Sequence, residues 1–304
     1  MDHDQYRPSH DDACLNMAGL IRSASVYMQL VKSGILLGNL LAMAGGFCLA
    51  ARGHVDFIPF VIAVMATACL VAGAGALNNV FDRDIDAVMS RTKKRPLPCK
   101  KISVATAASI GVVLSLAGLS LLLVSGIVPF LLGCAGFIIY VGVYTLWLKR
   151  CSVHGTLIGS LSGAVPPAIG YAAAGGMDFG LVLLMLLFCL WQMPHSYAIA
   201  LLREEDYRAT AIPLPPLHHG EAWARRHIMY YLVAFLCTAA AMTASGYADY
   251  GFLVVAIVCG GYWLVLAVWE QGETIVWARR QLICSLVTIT VLSLTMGLSP
   301  WLMV

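Results

Sequence analysis

Charged residues are scarce in this chain. Aspartate, glutamate, lysine and arginine make up 12% of its 304 residues, whereas 60% are hydrophobic and the mean hydropathy is +0.82. Because soluble globular proteins carry about 25% charged residues, the composition excludes an ordinary soluble domain and indicates an integral membrane protein. The net charge of +3 is also too small to favour nucleic acid as a partner.

Closely spaced cysteine pairs are missing as well, although the chain contains ten cysteines. Seven of them lie inside apolar runs, so we interpret them as small buried side chains rather than as a disulfide framework or a metal site. Asp2 and Asp4 stand where a secretory signal peptide carries positive charge. We therefore expect no signal peptide at this end.

Long apolar runs, by contrast, are abundant. Nine stretches reach the length of about 20 residues that an α-helix needs to cross a bilayer. They cover residues 32–51, 57–78, 103–124, 127–148, 155–174, 179–201, 229–247, 250–270 and 281–303. The expected fold is all-α, a polytopic bundle of nine transmembrane helices over residues 32–304. A segment over residues 1–31 precedes it, in the cytoplasm or on the membrane surface.

All basic residues but one fall on one side of this predicted bundle, which leaves Arg52 alone on the other. They precede the first helix, fill the loops after the second, fourth and sixth helices, and precede the ninth. The members are Arg7, Arg22, Lys32, Arg83, Arg91, Lys93, Lys94, Arg95, Lys100, Lys101, Lys149, Arg150, Arg203, Arg208, Arg225, Arg226, Arg279 and Arg280. Since basic loops stay on the cytoplasmic side of membranes, the N-terminus and these loops are expected in the cytoplasm.

Three side chains with oxygen ligands follow the second apolar stretch at helical spacing. Asn78, Asp82 and Asp86 stand at i, i+4 and i+8, so on an α-helix they share one face, with successive Cα atoms roughly 6 Å apart. Carboxylate and amide oxygens at this separation can converge on a hard cation such as Mg²⁺. Asp84 points to the opposite side, and we predict that it is solvated or ion-paired and lies outside the site.

A basic cluster comes directly after these acids, and it comprises Arg91, Lys93, Lys94 and Arg95. Pro96 and Pro98 follow, and we predict that they end the helix. Oxygen ligands beside arginine and lysine are what a Mg²⁺-chelated diphosphate requires. The alternative is a solvated charged loop that only fixes the topology.

A second acidic segment follows the sixth apolar stretch and contains Glu204, Glu205 and Asp206. Both acidic segments are predicted on the cytoplasmic side, so they can close on one polar cavity. Ionisable residues at membrane depth usually serve a function when they face a bundle interior. The alternative for this segment is a plain turn at the membrane surface.

Polar residues also interrupt the end of the sixth apolar stretch. Gln192 and His195 flank Pro194, whose kink can free space on the bundle side of the helix. A histidine here needs a partner, either a ligand in the cavity or a hydrogen bond at the helix end. Small residues and a double proline over 155–167 indicate a tightly packed, kinked fifth helix.

These motifs together resemble those of the UbiA-type membrane prenyltransferases. The matching residues are Asn78-x-x-x-Asp82-x-x-x-Asp86, Arg91-Thr92-x-x-Arg95-Pro96-Leu97, Tyr144 with Lys149-Arg150, Gly155 to Pro167, Trp191 to Tyr197, and Asp206-Tyr207 with Ile212-Pro213. The likeness extends from Lys32 to the last helix. The segment from Trp191 to Tyr197 is most similar to the branch that farnesylates protohaem IX.

The resemblance implies a Mg²⁺-dependent transfer of farnesyl from farnesyl diphosphate to a vinyl group of protohaem IX, giving haem O. The metal ligands that it implies are Asn78, Asp82, Asp86, Glu205 and Asp206, with Asp82, Asp86 and Asp206 as catalytic residues. The implied diphosphate-binding residues are Lys32, Arg91, Lys94, Arg95, Lys149 and Arg150. The implied haem-binding residues are Tyr144, Gln192 and His195. The expected location is the bacterial inner membrane, with a cytoplasmic site and haem A synthase or oxidase assembly as partners.

Three positions depart from the family pattern, and one of them is Ser33, which stands where a proline often follows the lysine of the first helix. Asn79 stands where the superfamily often has aspartate, and Thr210 replaces the second aspartate of its second motif. Three rivals stay open: a quinone precursor as acceptor, a transporter, or an assembly scaffold. A transporter would carry coupling charges near the bilayer midplane, whereas the acids here lie at the cytoplasmic ends. A scaffold gives no reason for paired acidic loops.

Overall fold

A computed structural model describes residues 24–269 and 272–298, and this part of the chain is helical with no β-strand. The all-α prediction is confirmed for these residues. Most of the predicted segment over 1–31, including Arg7 and Arg22, lies outside the described residues. The same holds for the end of the last predicted stretch beyond residue 298.

The first four helices are α1 (Ser33–Ala51), α2 (Phe57–Phe81), α3 (Arg83–Val88) and α4 (Val104–Ser125). Short polar side chains start two of them by accepting a main-chain N–H of the first turn, as helix N-caps do. Asp56 accepts from Ile58 N before α2, and Ser103 accepts from Thr106 N before α4. These caps place the helix starts at the two loops on either side of α2 and α3.

The next helix, α5 (Ile127–Cys151), changes winding along its length. Its middle part, Ile138–Leu148, is a π-helix. The Thr145 hydroxyl donates to the Tyr140 carbonyl at 2.8 Å, five residues back along the helix. Extra-wide turns of this kind often occur at functional sites, and this one ends at Lys149 and Arg150.

The predicted fifth span over 155–174 is two short helices, α6 (Gly155–Gly163) and α7 (Val165–Ala173), joined at Ala164. Pro166 and Pro167 lie in the first turn of α7, where their missing N–H groups cost no helical hydrogen bond. The predicted kink is confirmed at Ala164, whose N–H still donates to the Ser160 carbonyl at 3.3 Å.

The rest of the described chain forms α8 (Phe179–Leu202), α9 (Glu204–Ala209), α10 (Pro215–His219), α11 (Glu221–Ala244), α12 (Tyr250–Trp269) and α13 (Thr274–Leu298). Two predicted boundaries were wrong. α11 begins before residue 229 and α13 before residue 281, so Arg279 and Arg280 lie inside α13. Long arginine side chains can extend toward water from within the first turns of a membrane helix, so charge does not mark these boundaries.

Eight helices in the described ranges are long and apolar enough to cross a membrane: α1, α2, α4, α5, α8, α11, α12 and α13. Large apolar side chains cover their outer faces. Leu37 and Val124 are 70% and 71% exposed in the isolated chain, as expected where lipid replaces water as the solvent.

Glycines lie at the closest helix contacts inside the bundle. α1 packs against α7 and α13, and α2 packs against α4. A Cβ atom at Gly46 of α1 would lie 2.1 Å from the Pro167 carbonyl oxygen of α7, and one at Gly170 would lie 2.0 Å from the Met43 oxygen. The backbones of α1 and α7 therefore touch, as small residues allow between membrane helices.

Replacing Gly46 by alanine should push α1 away from α7. Overpacking of this kind costs about 1–3 kcal/mol, so the Gly46→Ala protein should show a lower midpoint of thermal unfolding in detergent. Gly38→Ala in the same helix is the matched control, because a Cβ there has no neighbour within 4 Å. Equal midpoints for the two variants would contradict the close contact.

Candidate active site

The three predicted oxygen ligands sit at the junction of α2 and α3. Asp82 N donates to the Asn78 carbonyl at 2.9 Å, and Asp86 N donates to the Asp82 carbonyl at 2.8 Å. The i, i+4, i+8 spacing thus persists across the junction. Asn78, Asp82 and Asp86 are only 3%, 2% and 4% exposed. Two carboxylates are therefore buried at one end of the bundle, where unpaired charges would be costly.

Cations from three distant parts of the chain neutralise this polar group. Lys149 at the end of α5 donates to Asp82 Oδ2 at 2.5 Å, and Arg95 in the loop after α3 contacts both Asp86 oxygens at 2.9 and 2.7 Å. Lys32, directly before α1, donates to Asn78 Oδ1. Burial, together with the neighbouring Arg95, lowers the pKa of the Lys32 ammonium to about 7.

The side-chain amides of Asn78 and Asn79 make further hydrogen bonds that fix the geometry of the site. The Asn78 side chain donates to Thr145 Oγ1 at 3.0 Å, which connects α2 to the π-helical part of α5. Asn79 donates to the Leu30 carbonyl at 2.7 Å and accepts from Arg95 at 3.2 Å. Asn79 is thus a positioning residue for Arg95, at the position where an aspartate was expected from the resemblance.

One buried oxygen in this group lacks a partner among the described residues: Asp82 Oδ1 accepts no hydrogen bond. Buried polar atoms are rarely left unsatisfied, so this oxygen is suited to a cation or a ligand. No cluster of three or more His, Cys, Asp or Glu side chains is assembled for a metal in the described ranges. Mg²⁺ needs fewer, since it is commonly bound by one or two carboxylates together with substrate phosphates. The residues fit this ion.

The loop after α3 departs from the prediction that Pro96 and Pro98 end the helix. α3 stops at Val88, because Met89 has an extended backbone (φ −67°, ψ 131°). The Thr92 hydroxyl donates to the Asp86 carbonyl at 3.0 Å. That carbonyl would otherwise accept from the next helical turn, so a side chain ends the helix before the prolines.

The second acidic segment meets this loop through one residue. Ser90 N donates to Asp206 Oδ1 at 2.7 Å. Partial burial raises the pKa of Asp206, but hydrogen bonds from Ser90 and Arg91 outweigh it, and the net pKa is lowered. Glu205 is exposed and makes no hydrogen bond or ion pair with the described residues. Asp206 is therefore joined to the loop that carries Arg95, whereas Glu205 faces outward.

Of the remaining predicted cations, Arg150 is ion-paired, whereas Arg91 and Lys94 are exposed. Arg150 forms a two-pronged pair with Asp84 at 2.7 and 2.8 Å and also donates to the Phe81 carbonyl. The Arg150 hydrogen bond lowers the pKa of Asp84 to about 2, and the prediction that Asp84 is ion-paired is confirmed. Arg91 and Lys94 are exposed on the same loop.

The three residues predicted to contact haem lie on α5 and α8. The Tyr144 ring stacks on Tyr140, with centroids 6.1 Å apart, and lies against Gly159 of α6. Gln192 lies against Gly163 of the same helix. His195 Nδ1 is 2.8 Å from Ser285 Oγ on α13.

Sequence reasoning missed Thr145 and Ser285. Thr145 directly follows Tyr144, and Ser285 is one of several serines and threonines in α13. Nothing in the sequence distinguishes either residue from its hydroxyl-bearing neighbours.

A family model for the UbiA prenyltransferase family matches residues 39–279. The chain is 47% identical to protoheme IX farnesyltransferase 2 of Pseudomonas fluorescens over 277 residues, which cover 90% of this chain and 94% of that protein. A solved digeranylgeranylglyceryl phosphate synthase shares the fold with a TM-score of 0.71, 16% identity and coverage of 90% and 99%. A UbiA homolog from Archaeoglobus fulgidus, bound to GPP and Mg²⁺, shares the fold with a TM-score of 0.68 and 16% identity. The match covers 90% of this chain and 99% of that one.

The Lys149–Asp82 and Arg150–Asp84 ion pairs should differ sharply in their contribution to the free energy of unfolding. Lys149→Met leaves Asp82 buried and unpaired, which costs about 3–5 kcal/mol. Arg150→Met breaks a pair whose side chains are 39% and 61% exposed, and such pairs contribute about 0–1 kcal/mol. Thermal unfolding midpoints in detergent, measured without ligands, check this. A fall for Arg150→Met as large as that for Lys149→Met would contradict it.

Proposed function

The chain belongs to the UbiA prenyltransferase family, and we propose that it transfers a farnesyl group from farnesyl diphosphate to a vinyl group of protohaem IX, giving haem O. The observation that carries this proposal is the 47% identity to a protoheme IX farnesyltransferase across 90% of the chain. The buried acids and their cations supply the chemistry that ionisation of an allylic diphosphate requires.

We assign the metal site to Asn78, Asp82 and Asp86, with Asp206 and Glu205 on the facing segment. The unpartnered Asp82 Oδ1 supports this assignment. When bound, Mg²⁺ neutralises diphosphate charge and stabilises its departure. The Archaeoglobus fulgidus homolog with the same fold was solved with GPP and Mg²⁺, which supports a divalent ion as the cofactor.

The diphosphate binds among the basic residues at the same end: Lys32, Arg91, Lys94, Arg95, Lys149 and Arg150. Arg95 and Lys149 already lie within hydrogen-bond distance of the two buried carboxylates, so their charges stand next to the leaving group. Charge-assisted hydrogen bonds to phosphate oxygens are among the strongest in proteins. Arg150 keeps its pair with Asp84 and acts mainly through its charge.

The transfer then proceeds through carbocations. The C–O bond of the allylic diphosphate breaks, and its electron pair leaves with the diphosphate. The vinyl group's terminal carbon supplies the pair for the new C–C bond, which leaves a cation on the carbon next to the porphyrin. Water adds there and loses a proton, giving the hydroxyl group of haem O. The apolar helix faces limit water before this step, and Tyr144, Gln192 and His195 contact the haem.

The topology proposed for this enzyme has nine crossings, with α6 and α7 together making the fifth. Residues 32–304 form one prenyltransferase domain, and residues 1–31 a cytoplasmic or interfacial segment. The N-terminus and the acidic site face the cytoplasm of a bacterial inner membrane, as the basic loops indicate. Haem A synthase or an oxidase assembly would receive the product.

The direct test incubates the purified protein with protohaem, farnesyl diphosphate and Mg²⁺, and separates the haems by chromatography. A haem with the mass of the hydroxyethylfarnesyl product is the expected result. Omission of Mg²⁺ should abolish it. Prenylation of a quinone precursor instead of haem would overturn the assignment of the acceptor.

Asp82→Asn and Asp86→Asn should each lower turnover by far more than tenfold, because each removes charge from a proposed metal ligand. Asp84→Asn is the matched control: Asp84 belongs to the same motif but is exposed and paired with Arg150. Its turnover should stay near wild type. A loss below about tenfold for Asp82 or Asp86, roughly 1.4 kcal/mol of barrier, would show that these acids do not hold the metal.

Arg95→Ala should raise the KM for farnesyl diphosphate about tenfold or more and leave haem affinity nearly unchanged, because Arg95 neutralises phosphate oxygens. Steady-state kinetics and a haem titration measure the two quantities. Lys101→Ala, an exposed lysine in the same loop, should change neither. A drop in haem affinity with an unmoved KM would instead assign this loop to the haem propionates.

A further inference from the structure

The His195 ring is held on one side by a residue of its own helix, α8, and on another by a residue of α13. It stacks on the Trp191 indole, with ring centroids 5.0 Å apart and 25° between the planes. Its Nδ1 lies 2.8 Å from Ser285 Oγ. Trp191 is anchored in turn, since its Nε1 donates to the Ser285 main-chain carbonyl at 2.8 Å. Ser285 of α13 therefore holds both the Trp191 and the His195 ring of α8.

The Ser285 contacts also decide which nitrogen of His195 carries the proton. The Ser285 hydroxyl has a single proton, and it donates that proton to the Leu282 carbonyl at 2.6 Å. With that proton directed at Leu282, the bond to His195 uses a lone pair of Ser285, and this network favours the tautomer in which Nδ1–H is the donor. In a neutral imidazole with this tautomer, the free lone pair is on Nε2.

The geometry leaves that lone pair accessible. Ser285 is completely buried, whereas His195 keeps part of its surface exposed. Nε2 is not among the fully buried side-chain nitrogens that lack a partner, so this atom keeps some accessible surface. Among the described residues no hydrogen-bond partner occupies Nε2. A neutral imidazole nitrogen of this kind is a common ligand of haem iron.

We propose that Ser285 is a positioning residue for haem binding: it locks His195 in the Nδ1–H tautomer and directs Nε2 to the iron of the substrate. This inference rests on the proposed function, in which protohaem is the acceptor. Histidines that bind metals usually donate their other N–H to a fixed acceptor, which sets the ring orientation and raises its basicity. Loss of that acceptor typically costs 10–100-fold in metal affinity.

The test is a haem titration of purified wild type and variants, followed by the Soret spectrum. Ser285→Ala keeps the main-chain carbonyl that anchors Trp191, yet removes the acceptor for His195. It should weaken haem binding about 10–100-fold and reduce the histidine-ligated spectrum. His195→Ala should abolish that spectrum. Ser285→Thr should restore it, because a helical threonine hydroxyl can donate to the same type of carbonyl.

Ser293→Ala is the matched control, since Ser293 is a second buried serine of α13, and it should bind haem like wild type. Binding of farnesyl diphosphate with Mg²⁺ should be unchanged in all four variants. A wild-type haem spectrum for Ser285→Ala or His195→Ala would overturn the inference. Joint loss of haem and diphosphate binding in Ser285→Ala would do the same, because it would indicate a general structural role. The titration needs no turnover, so it is separate from the product test of the proposed function.

Discussion

The burial of two carboxylates at one end of an apolar bundle is the constraint on which the rest of the structure depends. A buried charge without a partner costs several kcal/mol, so Asp82 and Asp86 each require a cation. The chain supplies Lys149 from the end of α5 and Arg95 from the loop after α3. Lys32 joins the group from before α1 through Asn78. Segments far apart in sequence are therefore held together at the site.

The same pairs explain how such a site exchanges its charges. Under the proposed function, Mg²⁺ brings positive charge to the carboxylates, and the diphosphate brings negative charge to Arg95 and Lys149. Each side receives a new partner of opposite sign, so neither state leaves charges buried and unpaired. The cations that stabilise the ligand-free protein are thus the cations placed for the leaving group. Asp82 Oδ1 has no hydrogen-bond partner among the described residues, and a bound cation would give it one.

Spacing and composition predicted much of this arrangement. The i, i+4, i+8 run, the ion-paired state of Asp84 and the kink in the fifth span all follow from periodicity and proline chemistry, and the structure confirms them. The end of α3 at Val88 does not follow from the sequence. The Ser90 N–H bonds to Asp206 and the Thr92 hydroxyl bonds to the Asp86 carbonyl, so the helix ends before it reaches Pro96. No sequence pattern distinguishes Thr145 or Ser285 from neighbouring hydroxyl residues, since α13 carries several serines and threonines and each acquires a role only from the helix that it contacts.

Ion pairs hold the acidic end of the proposed site together, whereas neutral hydrogen bonds hold the part along α8. Near the membrane surface, charge pairs dominate, and water is close enough to solvate Arg91, Lys94 and Glu205. Deeper along α8, a charged group would be expensive, and the structure there uses neutral hydrogen bonds: Trp191 and His195 both bond to Ser285. A neutral histidine with a fixed tautomer offers a lone pair at lower desolvation cost than a charge. Under the proposed function the separation suits the two substrates, because a diphosphate binds positive charge and a histidine binds haem iron in its uncharged form.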